Sequence, residues 1–500
     1  MSRRHRIMDW LWRGRPFSFD VHLAKDGDDQ NAFPATIRVD PAACAPDDRF
    51  QIELPAGGLP FGERLDLVGK VIGSSERLRL REAQVISQVG QRQALTIAAL
   101  SYYSWPQHSG ASAVGAKLDV GGVQVEVRPS RRWYYSRSPW IVPTQRHPLV
   151  FPNGSVIFQR GPDDERAAKG LSAANSAAPA LTLKAKGNEF TLGNHYELLA
   201  DYRGGSGAES TIHRCLYVEE FNVGPDSILN WPLSVQRVSR VLSYCFGMRV
   251  APDFAVDATY HMGSFHDAIH LFAWAPEHRA DESDLDSVAR AGARLDFGTA
   301  APAEILTWLE RSGDSDLIDA ALPFAARARA SEAYPDDAFL TAFIGLEKLV
   351  HGLATAHDLQ TRPTKREFKA VQKLVRKVVK RELKNTPTAQ VMKNKVAELE
   401  RPPIRETLLR VLRHYQVAVD DLWPPNQALQ GLRNLLTSRN HMVHLGETGS
   451  PHEIVAARMR TQILLDRLIL RALNACDVLH GYNNFVGSRC HWLRTVEVGL

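Results

Sequence analysis

The period at which apolar residues recur switches for good from strand to helix near residues 300 to 330, and the switch calls for two separately built layers. Between about Phe17 and Tyr260 the pattern is that of strands. Arg64 to Gly73, Arg77 to Ser87 and Gln93 to Leu100 alternate or are β-branched. Lys117 to Val127 reads as a hairpin, with Gly121-Gly122 supplying the positive φ angles of a two-residue turn. One helix, Pro232 to Phe246, interrupts the strands, and Asp257 to Trp274 resumes them. From about Ala301 the spacing is helical almost to the end. The expected fold is α+β: an N-terminal β-rich domain, sandwich or barrel-like, followed by an all-α bundle. The expected limits are 1–325 for the β-rich domain, 326–485 for the helical domain and 486–500 for a C-terminal tail.

Charge is spread unevenly. The 500 residues carry a formal net charge of +5. Between Arg362 and Arg413, however, 16 Lys/Arg face 5 Asp/Glu. A basic block on one module is the electrostatic footprint of a polyanion partner, and on a helix it also reads as a solvated face. Lys373, Arg376, Lys377 and Lys380 are its candidate RNA contacts. The cysteines, Cys44, Cys215, Cys245, Cys476 and Cys490, are odd in number and form no Cys-x-x-Cys pair. That pattern predicts neither a disulfide framework nor a zinc cluster, and fits a reducing, cytoplasmic compartment. The apolar stretch behind the basic N-terminus is broken by Asp9 and Arg13, too early for a signal-peptide core. No apolar run approaches the roughly 18–20 residues of a membrane span, so no membrane partner is expected.

In the helical part, Phe339, Leu340, Phe343, Leu346, Val350 and Leu353 form one apolar stripe. Arg366 to Lys384 carries apolar residues against a heavily basic face, and Ile404 to Leu422 is a further amphipathic stretch. Gln427 to Leu445 follows, stopped by Gly446. Ser450-Pro451-His452-Glu453 is a capping box that opens a long helix through about Leu479. Within Leu429 to His444, a pitch of 100° per residue gathers Leu429, Leu432, Leu436 and Val443 on one face, with Asn440 in its middle. Asn440 is therefore expected on a packing face with a defined hydrogen-bond partner. Arg439 and His444 flank that face about 140° apart.

This constellation suits phosphodiester cleavage. A His near a helix C-terminus is favoured in its charged form and can move a proton. An always-charged Arg stabilises the negative transition state. RNA brings its own nucleophile, the 2′-hydroxyl, so the chemistry requires no metal or other cofactor.

The sequence Arg439-Asn440-x-x-x-His444 resembles the motif of the HEPN (higher eukaryotes and prokaryotes nucleotide-binding) superfamily, whose ribonucleases carry Arg, a polar residue, three more residues and His. Phe339 to Gly352 (FLTAFIGLEKLVHG) looks like the opening helix of the variant in ApeA-type antiphage proteins. Ser234 to Gly247 (SVQRVSRVLSYCFG), closing a β-rich region, is similar to the ApeA N-terminal domain. The resemblance implies a HEPN bundle with Arg439 and His444 as the catalytic pair and Asn440 orienting them. It also implies a homodimer in which two motifs meet in one cleft, and an N-terminal domain that senses a phage-derived trigger or restrains the nuclease. Glu347, beside the apolar stripe, is a weaker candidate to hold the motif and equally a solvated surface residue. His441 is a weaker one still.

Other signals point elsewhere or nowhere. His261, His266 and His270 cluster, but Ala268 to Trp274 reads as a strand, where a spacing of four has no zinc-binding meaning. Arg131 to Arg137 (RRWYYSR), like Tyr102, Tyr103 and Trp105, is either a base-stacking surface or an edge strand or interdomain contact. Two further functions therefore stand beside the nuclease. One is a non-catalytic HEPN-like module that binds RNA, a nucleotide or a partner protein. The other is a β domain that recognises a protein or glycan.

Overall fold

The structure is a computed structural model. It describes residues 3–26, 31–43, 46–55, 59–74, 76–89, 92–103, 116–120, 123–127, 130–135, 148–150, 156–158, 181–185, 188–200, 210–221, 231–247, 249–261, 264–272, 301–329, 334–360, 365–383, 386, 388, 404–445 and 450–495. The chain divides into two compact units, Met1–Arg294 with Gly298–Glu310, and Leu295–Phe297 with Arg311–Leu500. The fold is α+β, with a β-barrel and added strands first and helices after.

The first unit opens with α1 (Arg3–Trp12), β1 (Phe17–Lys25), β2 (Phe33–Val39) and the single turn α2 (Pro46–Arg49). Then come β3 (Phe50–Pro55), β4 (Arg64–Val71), β5 (Arg77–Val89), β6 (Arg92–Thr96) and β7 (Ala99–Tyr103). Strands β5-β4-β1-β2-β3-β6 are hydrogen-bonded in that order, and β6 pairs back with β5, closing a six-stranded antiparallel barrel. Alternation in the sequence explains which side faces in. Along β1, Phe17, Phe19, Val21 and Leu23 are buried while Ser18, Asp20 and His22 are exposed. Each such fully buried side chain contributes about 1.5–3 kcal/mol.

Strand β5 serves two neighbours on one edge. Arg77–Arg81 pairs with β7, and Gln84–Val89 pairs with β6. The bend between them falls at Glu82, which adopts φ 50°, a left-handed conformation that costs a non-glycine residue about 1–2 kcal/mol. Asp66 on β4 offsets that cost. Its carboxylate accepts from the Glu82 N–H at 3.1 Å and from Arg81 Nη1 at 2.7 Å. Burial pushes the Asp66 carboxyl up, but these donors outweigh it and hold the group below its usual range.

Beyond β7 lie β8 (Ala116–Val120) and β9 (Val123–Val127), which pair as a hairpin. β10 (Ser130–Tyr135) is followed by a second small pair, β11 (Pro148–Val150) and β12 (Val156–Phe158). β13 (Leu181–Ala185), β14 (Asn188–Ala200), β15 (Ser210–Phe221), helix α3 (Leu233–Phe246), β16 (Phe254–His261), β17 (Ser264–Phe272) and α4 (Ala301–Arg311) complete the unit. The order β13-β14-β15-β10-β16-β17-β7 extends the sheet from β5 outward. Segment Arg131 to Tyr135 is thus an interior strand, flanked by β15 and β16, and not an edge. Its Trp133, Tyr134 and Tyr135 are buried, so they form no base-stacking surface. The Tyr135 hydroxyl donates to the Val235 carbonyl of α3 at 3.2 Å. Tyr102 is likewise buried, and Trp105 lies outside the described residues.

A row of polar side chains crosses this sheet. His270 Nδ1 lies 2.8 Å from Ser101 Oγ, and its Nε2 lies 3.0 Å from Asp257 Oδ2. Asp257 also binds Arg131, whose Nη2 donates to Oδ2 at 2.9 Å. Glu220, the register partner of Arg131 on β15, accepts from Ser234 of α3. Burial raises the Asp257 carboxyl, yet His270 and Arg131 overcome this and hold it far below the usual carboxylate range. The side chains of His261 and His266 lie outside the described residues.

The second unit holds α5 (Ser315–Arg329), α6 (Pro335–Ala356), α7 (Lys365–Glu382), α8 (Ile404–His414), α9 (Ala428–Leu445), α10 (Pro451–Ala472) and α11 (Cys476–Thr495). Helix α6 packs against α5, α8 and α10. By length and composition it is the one described helix apolar enough to cross a membrane. Here Phe339, Phe343, Leu346, Val350 and Leu353 are buried within the protein.

Helix α10 opens with the expected capping box, the Ser450 N–H donating to Glu453 Oε2 at 2.8 Å. It ends at Ala472, earlier than the sequence predicts. Asn474 turns left-handed at φ 56°, and the Ala475 N–H reaches back to the Leu470 carbonyl at 2.9 Å. That is a Schellman stop, with Asn in the role glycine usually takes. Helix α11 then continues through Thr495, so residues 486–495 are helical.

Two substitutions test this packing. Gly431 of α9 lies against Trp423, and an added Cβ would fall 2.0 Å from the indole Nε1. Gly431→Ala is expected to destabilise the protein by about 1–3 kcal/mol in urea unfolding, despite the better helix propensity of Ala. Asp257→Asn removes the carboxylate that both Arg131 and His270 hold, and is expected to cost about 3–5 kcal/mol at pH 7. A carboxyl with a depressed folded pKa stabilises above its unfolded value of 3.8 and loses that effect as pH falls below it. The gap between wild type and Asp257→Asn should therefore narrow in unfolding curves recorded below that pH.

Candidate functional site

Arg439 lies in the last two turns of α9, and its guanidinium reaches across to α6. Nη2 donates to Glu347 Oε2 at 3.2 Å, and Nη1 donates to Asn440 Oδ1 at 3.1 Å. The guanidinium also sits over the Phe343 ring, 5.8 Å from its centroid. Phe343 and Glu347 are one helical turn apart on α6, so one face of that helix supplies both contacts. Glu347, one of the weaker sequence candidates, thus helps tie the motif to the bundle. Phe343 was legible only as a core residue, because a ring that serves as both packing and cation platform carries no separate sequence mark.

The packing face of α9 differs from the one its hydrophobic pattern predicts. Leu432 and Leu435 are buried, but Leu429 and Val443 are 53% and 50% exposed, and Asn440 is exposed too. The less exposed side runs through Ala428, Gly431, Leu435, Ser438 and Met442, of which Gly431 and Leu435 are buried, and is centred about 110° from the predicted stripe. The physical reason is Gly431. With no side chain, it lets Trp423 lie flat on the helix and draws the small residues inward. Arg439 comes with them, half-buried against α6. Asn440 does not enter a core, and the partner of its amide oxygen is the neighbouring Arg439.

His441 is exposed. His444 lies in the final turn of α9, and its side chain is outside the described residues. The helix is continuous through Leu445, so positions 439 and 444 are about 140° apart around it. Arg439 faces the bundle, and position 444 belongs to the opposite side. Among the basic candidates, Lys373, Arg376, Lys377 and Lys380 are all exposed on α7.

A second polar cluster escaped the sequence reading. Asp314 Oδ2 accepts from the Tyr415 hydroxyl at 3.0 Å and lies 2.8 Å from His357 Nε2. Burial and Asp314 together push the Tyr415 hydroxyl up. The partners are 43 and 101 residues apart in sequence, too far for any spacing rule. Among the described residues no group of three His, Cys, Asp or Glu is arranged to hold a metal ion.

No family model, curated protein or solved structure matches the chain.

The Glu347–Arg439 pair joins two partly exposed side chains. Solvent screening limits such a pair to about 0–1 kcal/mol. Glu347→Ala should therefore change the urea midpoint little, while removing the acceptor that aims the Arg439 guanidinium.

Proposed function

We propose that the protein is a metal-independent endoribonuclease of the HEPN type, acting in the cytoplasm as an antiphage defence effector. The observation that carries this reading is the Arg439 guanidinium, aimed by Glu347 and Asn440 on the helix that carries His444 in its last turn. In the proposed reaction the 2′-oxygen of one nucleotide attacks its own 3′-phosphorus. The bond to the departing 5′-oxygen breaks, leaving a 2′,3′-cyclic phosphate and a free 5′-hydroxyl. His444 moves the proton, Arg439 stabilises the phosphorane-like charge, and Asn440 orients Arg439.

One chain sets positions 439 and 444 on different sides of α9, so the site is completed by a second copy. The exposed Leu429 and Val443 beside Asn440 supply apolar surface for that association. In this reading the β-rich unit senses a phage-derived trigger or restrains the nuclease. The exposed cations of α7 support the alternative of an RNA-binding module without catalysis.

The purified protein should cut single-stranded RNA in the presence of EDTA, and the products should end in 2′,3′-cyclic phosphate. Arg439→Ala and His444→Ala should each lower the rate by about 100-fold or more. Cleavage by both variants at the wild-type rate overturns the assignment, and RNA binding without those products selects the binding module.

A further inference from the structure

Helix α7 separates its two chemistries around its circumference. At 100° per residue, Val371, Leu374, Val375 and Val378 fall within an arc of about 100°. Lys369, Lys373, Arg376, Lys377, Lys380 and Arg381 fall within a separate arc of about 140°. Inside a soluble bundle the first arc would be covered. Here Val371, Leu374 and Val378 are 46%, 62% and 41% exposed, and Val379 is the one buried side chain among those described on this helix. All six cations are exposed as well.

An open apolar strip bordered by a row of cations narrows what fits. RNA would engage the cations but leave Val371, Leu374 and Val378 in water. An apolar protein surface would cover the strip but give the cations no counter-charge. An anionic bilayer surface satisfies both at once. Valine and leucine side chains enter the boundary between headgroups and acyl chains, while lysine and arginine stems lie along it and place their charges among lipid phosphates. The helix spans 18 residues, about 27 Å, so it can lie in that plane along its length. That the apolar face of α6 is buried within the protein bears on insertion through a membrane and not on attachment to its surface.

The geometry points to α7 as a peripheral docking element for an anionic phospholipid surface, with Val371, Leu374 and Val378 as the inserted residues and the six cations as the headgroup contacts. This inference does not rest on the nuclease reading, because it uses no residue of the Arg439 site.

The test is co-sedimentation of the full-length protein with vesicles of phosphatidylcholine alone, or of phosphatidylcholine mixed with phosphatidylglycerol. Binding should be at least about tenfold stronger to the mixed vesicles and should weaken as salt is raised. Leu374→Glu and Val378→Glu replace exposed side chains, so far-UV circular dichroism should match wild type while vesicle binding falls about tenfold or more. Failure of the wild-type protein to sediment with mixed vesicles overturns the proposal. So does undiminished binding by Leu374→Glu, because the contact would then be one of charge alone. If Leu374→Glu instead turns a dimer into a monomer in analytical ultracentrifugation and wild type ignores vesicles, a second copy covers the strip. If RNA binding by the full chain falls in Leu374→Glu and wild type ignores vesicles, RNA is the partner; both results reject the lipid surface.

Discussion

Arg460, Asp466 and Arg467 sit within two turns of α10, each almost sealed from water. Charges removed from water are tolerated only with partners that restore their hydrogen bonds. Arg460 donates to the Leu422 and Leu493 carbonyls at 3.1 and 2.7 Å. Arg467 grips both oxygens of Asp421 at 2.7 and 2.6 Å, and takes the Asn483 amide oxygen and the Ala418 carbonyl as well. Asp466 receives Arg329 and the Tyr482 hydroxyl. Burial outweighs these partners and leaves the Asp466 carboxyl raised. Such groups add little net stability, but removing one partner of a buried pair costs about 3–5 kcal/mol. Helices α5 and α11 and the loop before α9 are each placed by a polar bond to α10 and not by apolar contact alone.

The candidate site inherits its geometry from that arrangement. The loop at Leu422 and Trp423 is fixed by Arg460, which also lies 5.6 Å from the Trp423 ring. Trp423 in turn meets Gly431 and sets the rotation of α9. The rotation decides that Arg439 meets Glu347 and Phe343 while Leu429, Asn440 and Val443 remain open. A buried arginine on one helix thus determines, through a tryptophan and a glycine, which way another arginine points.

Much of this was legible in the sequence, and the failures have physical causes. The alternation in β1, the helix Leu233–Phe246, the capping box at Ser450 and the stripe of α6 depend on neighbours in sequence, and each is present. What local pattern could not supply was the identity of the facing surface. Strand β10 has aromatic and basic residues at every position from Arg131 to Tyr135, so it offers no alternation to mark an edge. Its place depends on β15 and β16, both distant in sequence. On α9, hydrophobicity pointed to Leu429 and Val443, whereas contact followed the absence of a side chain at Gly431. At Asn474 a single left-handed residue ended a helix whose apolar spacing continued beyond it. The motif residues could be named from sequence, but the pairing of Arg439 with Glu347 needed the fold.

Strand β5 gives the β-rich unit a property that neither of its parts has alone. Its hydrogen bonds run to the barrel through β4 and β6 and to the outer strands through β7. The backbone turn at Glu82, held by Asp66, is the junction where one ladder hands over to the other. The barrel and the outer sheet are therefore mechanically in series. A shift of register in one cannot be absorbed at the seam, because β5 would have to slide in both ladders together. Disturbance at the outer strands is passed to the barrel as a whole, and the two regions should open as one cooperative block and not strand by strand.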